Sequence, residues 1–496
     1  MKPNELARRQ WRSRLALLGL VCGCTLPLQG QRPIVLTRVT VVDPANDAPL
    51  ENAAIVIEGE RITAVGPRQT VRVPRNALVI DATGKYVIPG LWDMHAHMAQ
   101  PIAPGIELTD NAGYFFPLFI AYGVTGVRDM AGDLTTLRTW RTDIDQGSRL
   151  GPHLIITGEK VGNGPVVTGA PFPVKTQRDI ERSVKALWDS GAAFVKLGDI
   201  EPRLAGTLMR EAWRYDLRVV GHVEAHHSLR DLARAGLRSM EHLDGLMLAT
   251  NANEASLQRD LVRNRRSTLW HRLLVRLGVR EPIQFPDAAL VNGYSEPRAD
   301  SLFALLRATG TWQCPTLRLL GALYRQPDPN LRLAPDSLLL RVPESPWSGF
   351  ANAPFDSTHP LRVVFPHLSK LVGRMAMQHV GILAGTDTPG LFAVPGKSLH
   401  EELGLLVAAG LSPRAALHAA TTGPADFLEA RDSLGTIRVG AYADLVLIDA
   451  DPLADIANTQ RIRAVVARGR YFDRAALDRL IGEGAQVARR ARTAAM

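Results

Sequence analysis

The chain has 496 residues, 46% hydrophobic and 22% charged, an ordinary globular composition with room for a catalytic barrel of roughly 250 residues plus a smaller domain. No internal apolar run reaches the ~20 residues of a membrane helix, so no membrane span is expected. The net charge of +9 raises nucleic acid as a partner, but the arginines are scattered through the helical stretches rather than gathered into a block with interleaved aromatics, and no nucleic-acid binding is expected.

In chain order, residues 1–30 come first and read as a leader. Arg8, Arg9, Arg12 and Arg14 precede the apolar stretch Leu15 to Leu28, a basic region before a short hydrophobic one, which is the pattern of an export signal. Gln29-Gly30-Gln31 offers a cleavage point, whereas Val21-Cys22-Gly23-Cys24 is an imperfect lipobox that would give Cys24 a lipid anchor. Both readings stand, and either places the protein in the periplasm or outside the cell. Two of the three cysteines lie in this leader. The body then keeps only Cys314, which excludes a structural disulfide and a cysteine-based zinc site.

Residues 31–88 alternate short apolar runs with turn residues: Ile34 to Leu36, Val39 to Val42, Ala54 to Ile57, Ile62 to Val65 and Leu78 to Ile80 read as β-strands. Similar runs return within 425–476, at Ala443 to Ile448 and Ile462 to Ala467 before a turn at Gly469. The expectation is a small β-sandwich built from both ends of the chain, with 477–496 as a tail. Between them, residues 89–424 repeat apolar strand, loop and amphipathic helix. Candidate strands are Tyr86–Trp92, Gly123–Arg128, His153–Thr157, Phe194–Leu197, Arg218–Val220, Ser239–Glu241, Trp312–Thr316 and Gly381–Ala384. Eight alternating units predict an α/β fold of the (β/α)8 TIM-barrel type. The stretch of about 246–297 is too long for an ordinary loop and reads as an insertion over the barrel mouth.

Chemistry concentrates at strand ends. In Pro89-Gly90-Leu91-Trp92-Asp93-Met94-His95-Ala96-His97 an apolar strand runs into two histidines one residue apart. Positions two apart on a strand share a face, so both imidazoles can reach one ion at the end of the barrel where such folds place their sites. The run resembles the PG-x-x-D-x-H-x-H opening of the amidohydrolase superfamily, and the resemblance extends over nearly the whole chain after the leader. Gly123-Val124-Thr125-Gly126-Val127-Arg128-Asp129, Leu399 to Leu403 through Thr421, and Leu434 to Asp449 resemble further stretches of that superfamily. Arg128 and Asp129 read as a packing ion pair in preference to pocket residues.

The resemblance implies a set of ligands. Lys196, in Phe194-Val195-Lys196-Leu197, matches the strand-four lysine that carbon dioxide converts to N6-carboxylysine; the anion suits a bridge between two cations, where an ammonium would be repelled. His222, after Val219-Val220-Gly221, and His242, after Ser239-Met240-Glu241, match the third and fourth histidines. Asp387, in Gly385-Thr386-Asp387, matches the strand-eight acid that binds an ion and serves as general base. Two divalent ions, expected to be zinc, would sit between these groups. The nearest branch resembles imidazolonepropionases and Xaa-Pro dipeptidases, which implies hydrolysis of a C–N bond in a small amide or peptide, a dipeptide or N-acyl amino acid. A cyclic amide or lactone hydrolase or a deaminase would use the same ligands, and a non-catalytic scaffold is the reading from another class. Glu224 reads as a substrate-binding residue or a solvated tip, and His226 and His227 as pocket or surface residues. A homo-oligomer is expected.

Overall fold

The computed structural model describes residues 32–102, 106–162, 172–265, 287–325, 338 and 361–494. The expected leader with Cys22 and Cys24, and residues 266–286 of the expected insertion, lie outside the described residues. In chain order the strands are β1 (Ile34–Val41), β2 (Leu50–Glu58), β3 (Arg61–Pro67), β4 (Leu78–Asp81), β5 (Tyr86–Pro89), β6 (Leu91–Ala96), β7 (Val124–Asp129), β8 (His153–Ile156), β9 (Phe194–Leu197), β10 (Arg218–Gly221), β11 (Leu237–Glu241), β12 (Trp312–Cys314), β13 (Leu445–Ile448), β14 (Ile462–Ala467) and β15 (Arg470–Asp473).

The strands from both ends join in one eight-stranded sheet, ordered β15-β14-β13-β5-β1-β2-β3 with β4 paired to β1. The seam is the antiparallel pairing of β5 with β13, from Tyr86↔Ile448 to Pro89↔Leu445. Two expected runs, Ile34 to Leu36 and Val39 to Val42, belong to one strand. Arg38, with φ 60°, lies where the β1–β2 register shifts between Thr37 and Val39, a bulge that re-aims the strand without ending it. The expected tail instead starts as helix at Arg474 and runs to Ala494.

The central strands are parallel, in two sheets ordered β6-β7-β8 and β12-β11-β10-β9. Individual hydrogen bonds span the gaps. Ala193 N donates to Ile156 O at 2.8 Å between β8 and β9; on the other side Gln313 N donates to Gly381 O and Leu383 N to Gln313 O, each at 2.8 Å, and Met94 N donates to Ala384 O at 2.9 Å. Residues 381–384, expected as the eighth strand, therefore sit between β12 and β6, although their ladder reduces to the single bridge Gln313↔Ile382. Every residue of β6, β7 and β9 is buried, as expected for parallel strands covered on both faces. Helices follow the strands in sequence. The helix Gln177–Asp189 opens with a capping box between Thr176 and Asp179 and buries Ile180, Val184 and Leu187 along one face.

The expected first strand, Tyr86 to Trp92, divides at Gly90. Residues before it pair in the terminal sheet and residues after it with β7. Gly90 N donates to Asp444 O at 2.7 Å, and a Cβ at this position would meet Thr125 Oγ1 at 2.0 Å. Only glycine lets the chain cross between the two sheets so closely.

Candidate metal centre

The candidate ligands come from five strand ends. His95 is on β6 and His97 follows it; Lys196 is on β9; His222 follows β10 and His242 follows β11; Asp387 follows residues 381–384. The geometry gathers them. The His95 and His97 rings are 5.2 Å apart by centroids, His95 and His242 are 4.5 Å apart, and His242 and His222 are 5.0 Å apart. The Asp387 side approaches closely because Gly385 has no side chain: a Cβ there would lie 2.6 Å from Cys314 Sγ and 2.9 Å from His95 N. Asp387 N donates to His95 O at 2.8 Å. Two of these side chains sit on left-handed backbone, His242 at φ 56° and Asp387 at φ 59°, a conformation that bulky residues keep only where their surroundings enforce it.

Hydrogen bonds at Nδ1 orient the rings. His95 Nδ1 lies 2.8 Å from Glu241 Oε2, His222 Nδ1 2.7 Å from Asp244 Oδ2, and His242 Nδ1 2.7 Å from Thr316 Oγ1. His97 Nδ1 is 3.1 Å from the Ala131 carbonyl and 2.9 Å from the Gln100 amide nitrogen. With Nδ1 occupied, each ring is left to use Nε2 as a ligand. His95 Nε2 and His97 Nε2 lie 3.2 and 3.1 Å from the same oxygen, Asp387 Oδ1. A carboxylate only accepts, so the His95 Nδ1–H donates to Glu241, and Nε2 is the ring nitrogen turned toward Asp387. Neither His95 Nε2 nor Asp387 Oδ1 makes a hydrogen bond, and Lys196 Nζ, also buried, makes none. Buried acceptors converging in this way call for a cation among them. The residues present thus fit a divalent ion. His95, His97 and Asp387 bring their ligand atoms within 4.8 Å of one another.

The electrostatics agree. Burial pushes Asp387 up, but the His95 and His97 imidazoles outweigh it and hold the carboxyl well below its usual range. Burial, reinforced by Lys196, takes His222 well below the ordinary histidine value, and burial followed by His95 takes His242 to about 3. Burial also lowers Lys196 to about 8. His222 and His242 are therefore neutral imidazoles, Asp387 is an anionic acid and Lys196 an amine that loses its proton near physiological pH, the protonation states a metal centre requires.

Glu241 and Lys160 were not picked out in the sequence, and Arg128 was given another partner. Arg128, read there as the partner of Asp129, points the other way: adjacent strand residues face opposite sides, and Arg128 instead donates to both oxygens of Glu241, at 3.1 and 3.0 Å, and to Met94 O at 2.6 Å. Asp129 accepts from Met98 N at 2.7 Å. Asp93 accepts from the Thr386 hydroxyl at 2.6 Å and from Thr386 N at 3.1 Å, tying the His95 strand to the Asp387 turn. Lys160 lies beside the centre, since Val161 N donates to Lys196 O at 2.9 Å. Burial lowers the Lys160 ammonium and the charge of Glu224 partly restores it. Glu224 is half-buried beyond the end of β10. His226 lies 3.3 Å from Asp199 and bonds the Ile200 carbonyl at 2.9 Å, so it takes no part in the cluster; His227 is buried beside it.

Fold and site define an α/β protein with a candidate metal centre at the ends of its parallel strands and a sheet made from both ends of the chain. Residues 365–471 match the Amidohydrolase family. Solved structures of similar fold include a bottromycin amidohydrolase, 24% identical with a TM-score of 0.67 over 97% of this chain and 96% of that one. Another is a protein assigned as a prolidase from Bifidobacterium longum, 23% identical with a TM-score of 0.63 over 91% and 99%. A dihydroorotase from Syntrophobacter fumaroxidans is 26% identical over 195 residues, 38% of this chain. The chain spans less than half the length of the curated relatives it matches, 41% in that case.

Proposed function

We propose that this protein is a metal-dependent hydrolase that cleaves the C–N bond of a small amide, a dipeptide or N-acyl amino acid. The observation that carries the reading is the convergence of His95 Nε2 and His97 Nε2 on Asp387 Oδ1, at 3.2 and 3.1 Å. When bound, two divalent ions, zinc by preference for imidazole ligands, would polarise the amide carbonyl and acidify the attacking water. His95, His97 and Asp387 would hold one ion and His222 and His242 the other. Lys196 would bridge them as N6-carboxylysine: its free amine adds to carbon dioxide, forming the N–C bond and releasing a proton to solvent. Asp387, kept anionic, takes a proton from the attacking water and delivers it to the leaving amine nitrogen. At the mouth, the Lys160 ammonium would meet a substrate carboxylate and Glu224 a substrate amine, which would suit an Xaa-Pro-dipeptidase-like substrate better than an uncharged amide.

Hydrolysis of a cyclic amide is the second reading, favoured by the match to a dihydroorotase and by the same Lys196. Export through residues 1–30, by cleavage or by a lipid on Cys24, belongs to the proposal, and among the described residues no helix is long and apolar enough to cross a membrane. The test is metal content together with turnover. Protein purified without chelator should hold close to two divalent ions per chain and turn over members of a panel of dipeptides, N-acyl amino acids and cyclic amides. A chain with a single ion at saturating zinc and bicarbonate would overturn the binuclear reading.

A further inference from the structure

The most completely bonded side chain near the centre is not one of the proposed ligands. Glu241 is fully buried on β11 and accepts four hydrogen bonds: two from Arg128 Nη2 at 3.0 and 3.1 Å, one from the Ser239 hydroxyl at 2.5 Å, and one from His95 Nδ1 at 2.8 Å. Arg128 is itself fully buried on β7, anchored to Met94 O and Ser239 Oγ, with its guanidinium carbon 5.1 Å from the centre of the Phe427 ring. The chain of contacts Arg128–Glu241–His95 thus crosses the barrel interior from β7 through β11 to β6. A buried ion pair is an expensive way to stabilise a fold, because desolvation cancels most of the attraction and apolar residues of the same size would often do as well. Its geometry does something apolar residues could not: the carboxylate accepts at one ring nitrogen only and fixes which nitrogen carries the proton.

We propose that Glu241, with its charge balanced by Arg128, is a positioning residue that locks His95 as the Nδ1–H tautomer and aims Nε2 at the ion shared with His97 and Asp387. The inference rests on the metal reading above but is separable from it, since the tautomer is a property of the metal-free protein. His95 is the only one of the four candidate ligand histidines whose Nδ1 partner is a fully buried carboxylate. His222 has Asp244, whose side chain is 37% exposed, His242 has a hydroxyl, and His97 has neutral groups. Glu241 also lies within reach of an ion itself, its oxygen grouping with His95 and Cys314, but both Glu241 oxygens are already taken by Arg128, Ser239 and His95.

Two measurements test the proposal. In metal-free protein carrying 15N-labelled histidine, long-range 1H–15N spectra should show His95 as the Nδ1–H tautomer. In the double variant Arg128→Met/Glu241→Leu, which removes the pair without leaving a lone buried charge, the proton should redistribute toward Nε2. Zinc affinity by chelator competition should fall about 10- to 100-fold for the tighter ion in Glu241→Gln, the usual range for losing an outer partner of a metal-bound histidine, while the second ion keeps its affinity. Glu241→Asp, which retains the charge but retracts it by one methylene, should lose less than Glu241→Gln and serves if the other variants fail to fold. An unchanged tautomer in the double variant, or wild-type zinc affinity in folded Glu241→Gln or Glu241→Asp, would overturn the positioning role. A wild-type protein that binds no zinc while showing the expected tautomer and its loss would instead sink the metal reading and leave the Glu241–His95 relation standing.

Discussion

The two sides of the candidate centre are built differently. On the β6 side, His95 has no exposed side-chain area, His97 has 13% and Asp387 8%, and each is tied into the barrel by buried groups. On the β10 and β11 side, His222 is 30% exposed and rests on a carboxylate that is itself 37% exposed, and His242 rests on a hydroxyl. Solvent competes with the carboxylate that holds His222 on the second side and with no partner on the first. A position enclosed by pre-oriented ligands should keep its ion through many turnovers, while one at the solvent edge should exchange it and leave room for substrate.

Asp387 on the enclosed side should give the largest response. Asp387→Asn preserves size and leaves His95 and His97 in place, so it should retain at least one ion while kcat falls by roughly two to four powers of ten, the contribution of a lost acid–base group. Near-normal turnover in Asp387→Asn would move the proton-handling role elsewhere, with Glu224 the first candidate.

Lys196 lies between the two sides and supplies the pH dependence. Burial lowers its amine from 10.5 to about 8. Below that pH most of the amine is protonated and cannot react with carbon dioxide; above it most is free. The recovery rate of metal-free protein given zinc at constant dissolved carbon dioxide should therefore climb about tenfold per pH unit up to about 8 and then level. A rate still rising tenfold per unit between pH 9 and 10 would show an ordinary exposed lysine. Lys196→Ala should lose an ion and activity together, with partial rescue by a short carboxylic acid.

The solvent side should be more forgiving. Asp244→Asn leaves His222 a neutral partner in a half-exposed setting, and the affinity of the weaker ion should drop by about tenfold, the low end for such partners, with the tighter ion unaffected. Equal losses at both ions would erase the distinction between the two sides.

The contrast explains what could be read before the fold was known. His95 and His97 are marked by a local rule, an apolar strand running into two histidines one residue apart, and Lys196, His222, His242 and Asp387 are candidates through short motifs that resemble those of a known family, none of which needs a partner to be legible. Arg128 and Glu241 were not, because they are 113 residues apart in sequence and their pairing depends on closing the barrel. An arginine beside an aspartate invites a local pairing that strand alternation forbids. The double duty of Tyr86 to Trp92 was hidden for a similar reason: Gly90 splits the run only because Thr125 and Asp444, from distant parts of the chain, crowd it. The eighth segment, 381–384, was found by its apolar pattern, yet its pairing is too sparse for a regular ladder.

The smallest expected effect lies at the mouth, where Lys160 would read the charge of the substrate. The backbone beside it is pinned to the centre, Val161 N to Lys196 O at 2.9 Å and Phe172 N to Lys160 O at 2.8 Å, so the lysine is held over the end of β9 rather than out on the surface. Its charge reaches His222 and Lys196, both of which it disfavours in the protonated form. Lys160→Met keeps the length and apolar stem and removes only that charge. If the ammonium meets a substrate carboxylate, KM for a dipeptide or N-acyl amino acid should rise about fivefold, the worth of a partly solvated ion pair of ~1 kcal/mol. The same substrate capped as a C-terminal amide should show no change, and kcat should stay within about twofold for both, because uniform binding is lost and no transition-state contact is touched. An equal rise in KM for the acid and the capped amide would show that Lys160 shapes the mouth without reading charge. The preference for a carboxylate-bearing substrate would then have to come from another group on the solvent side.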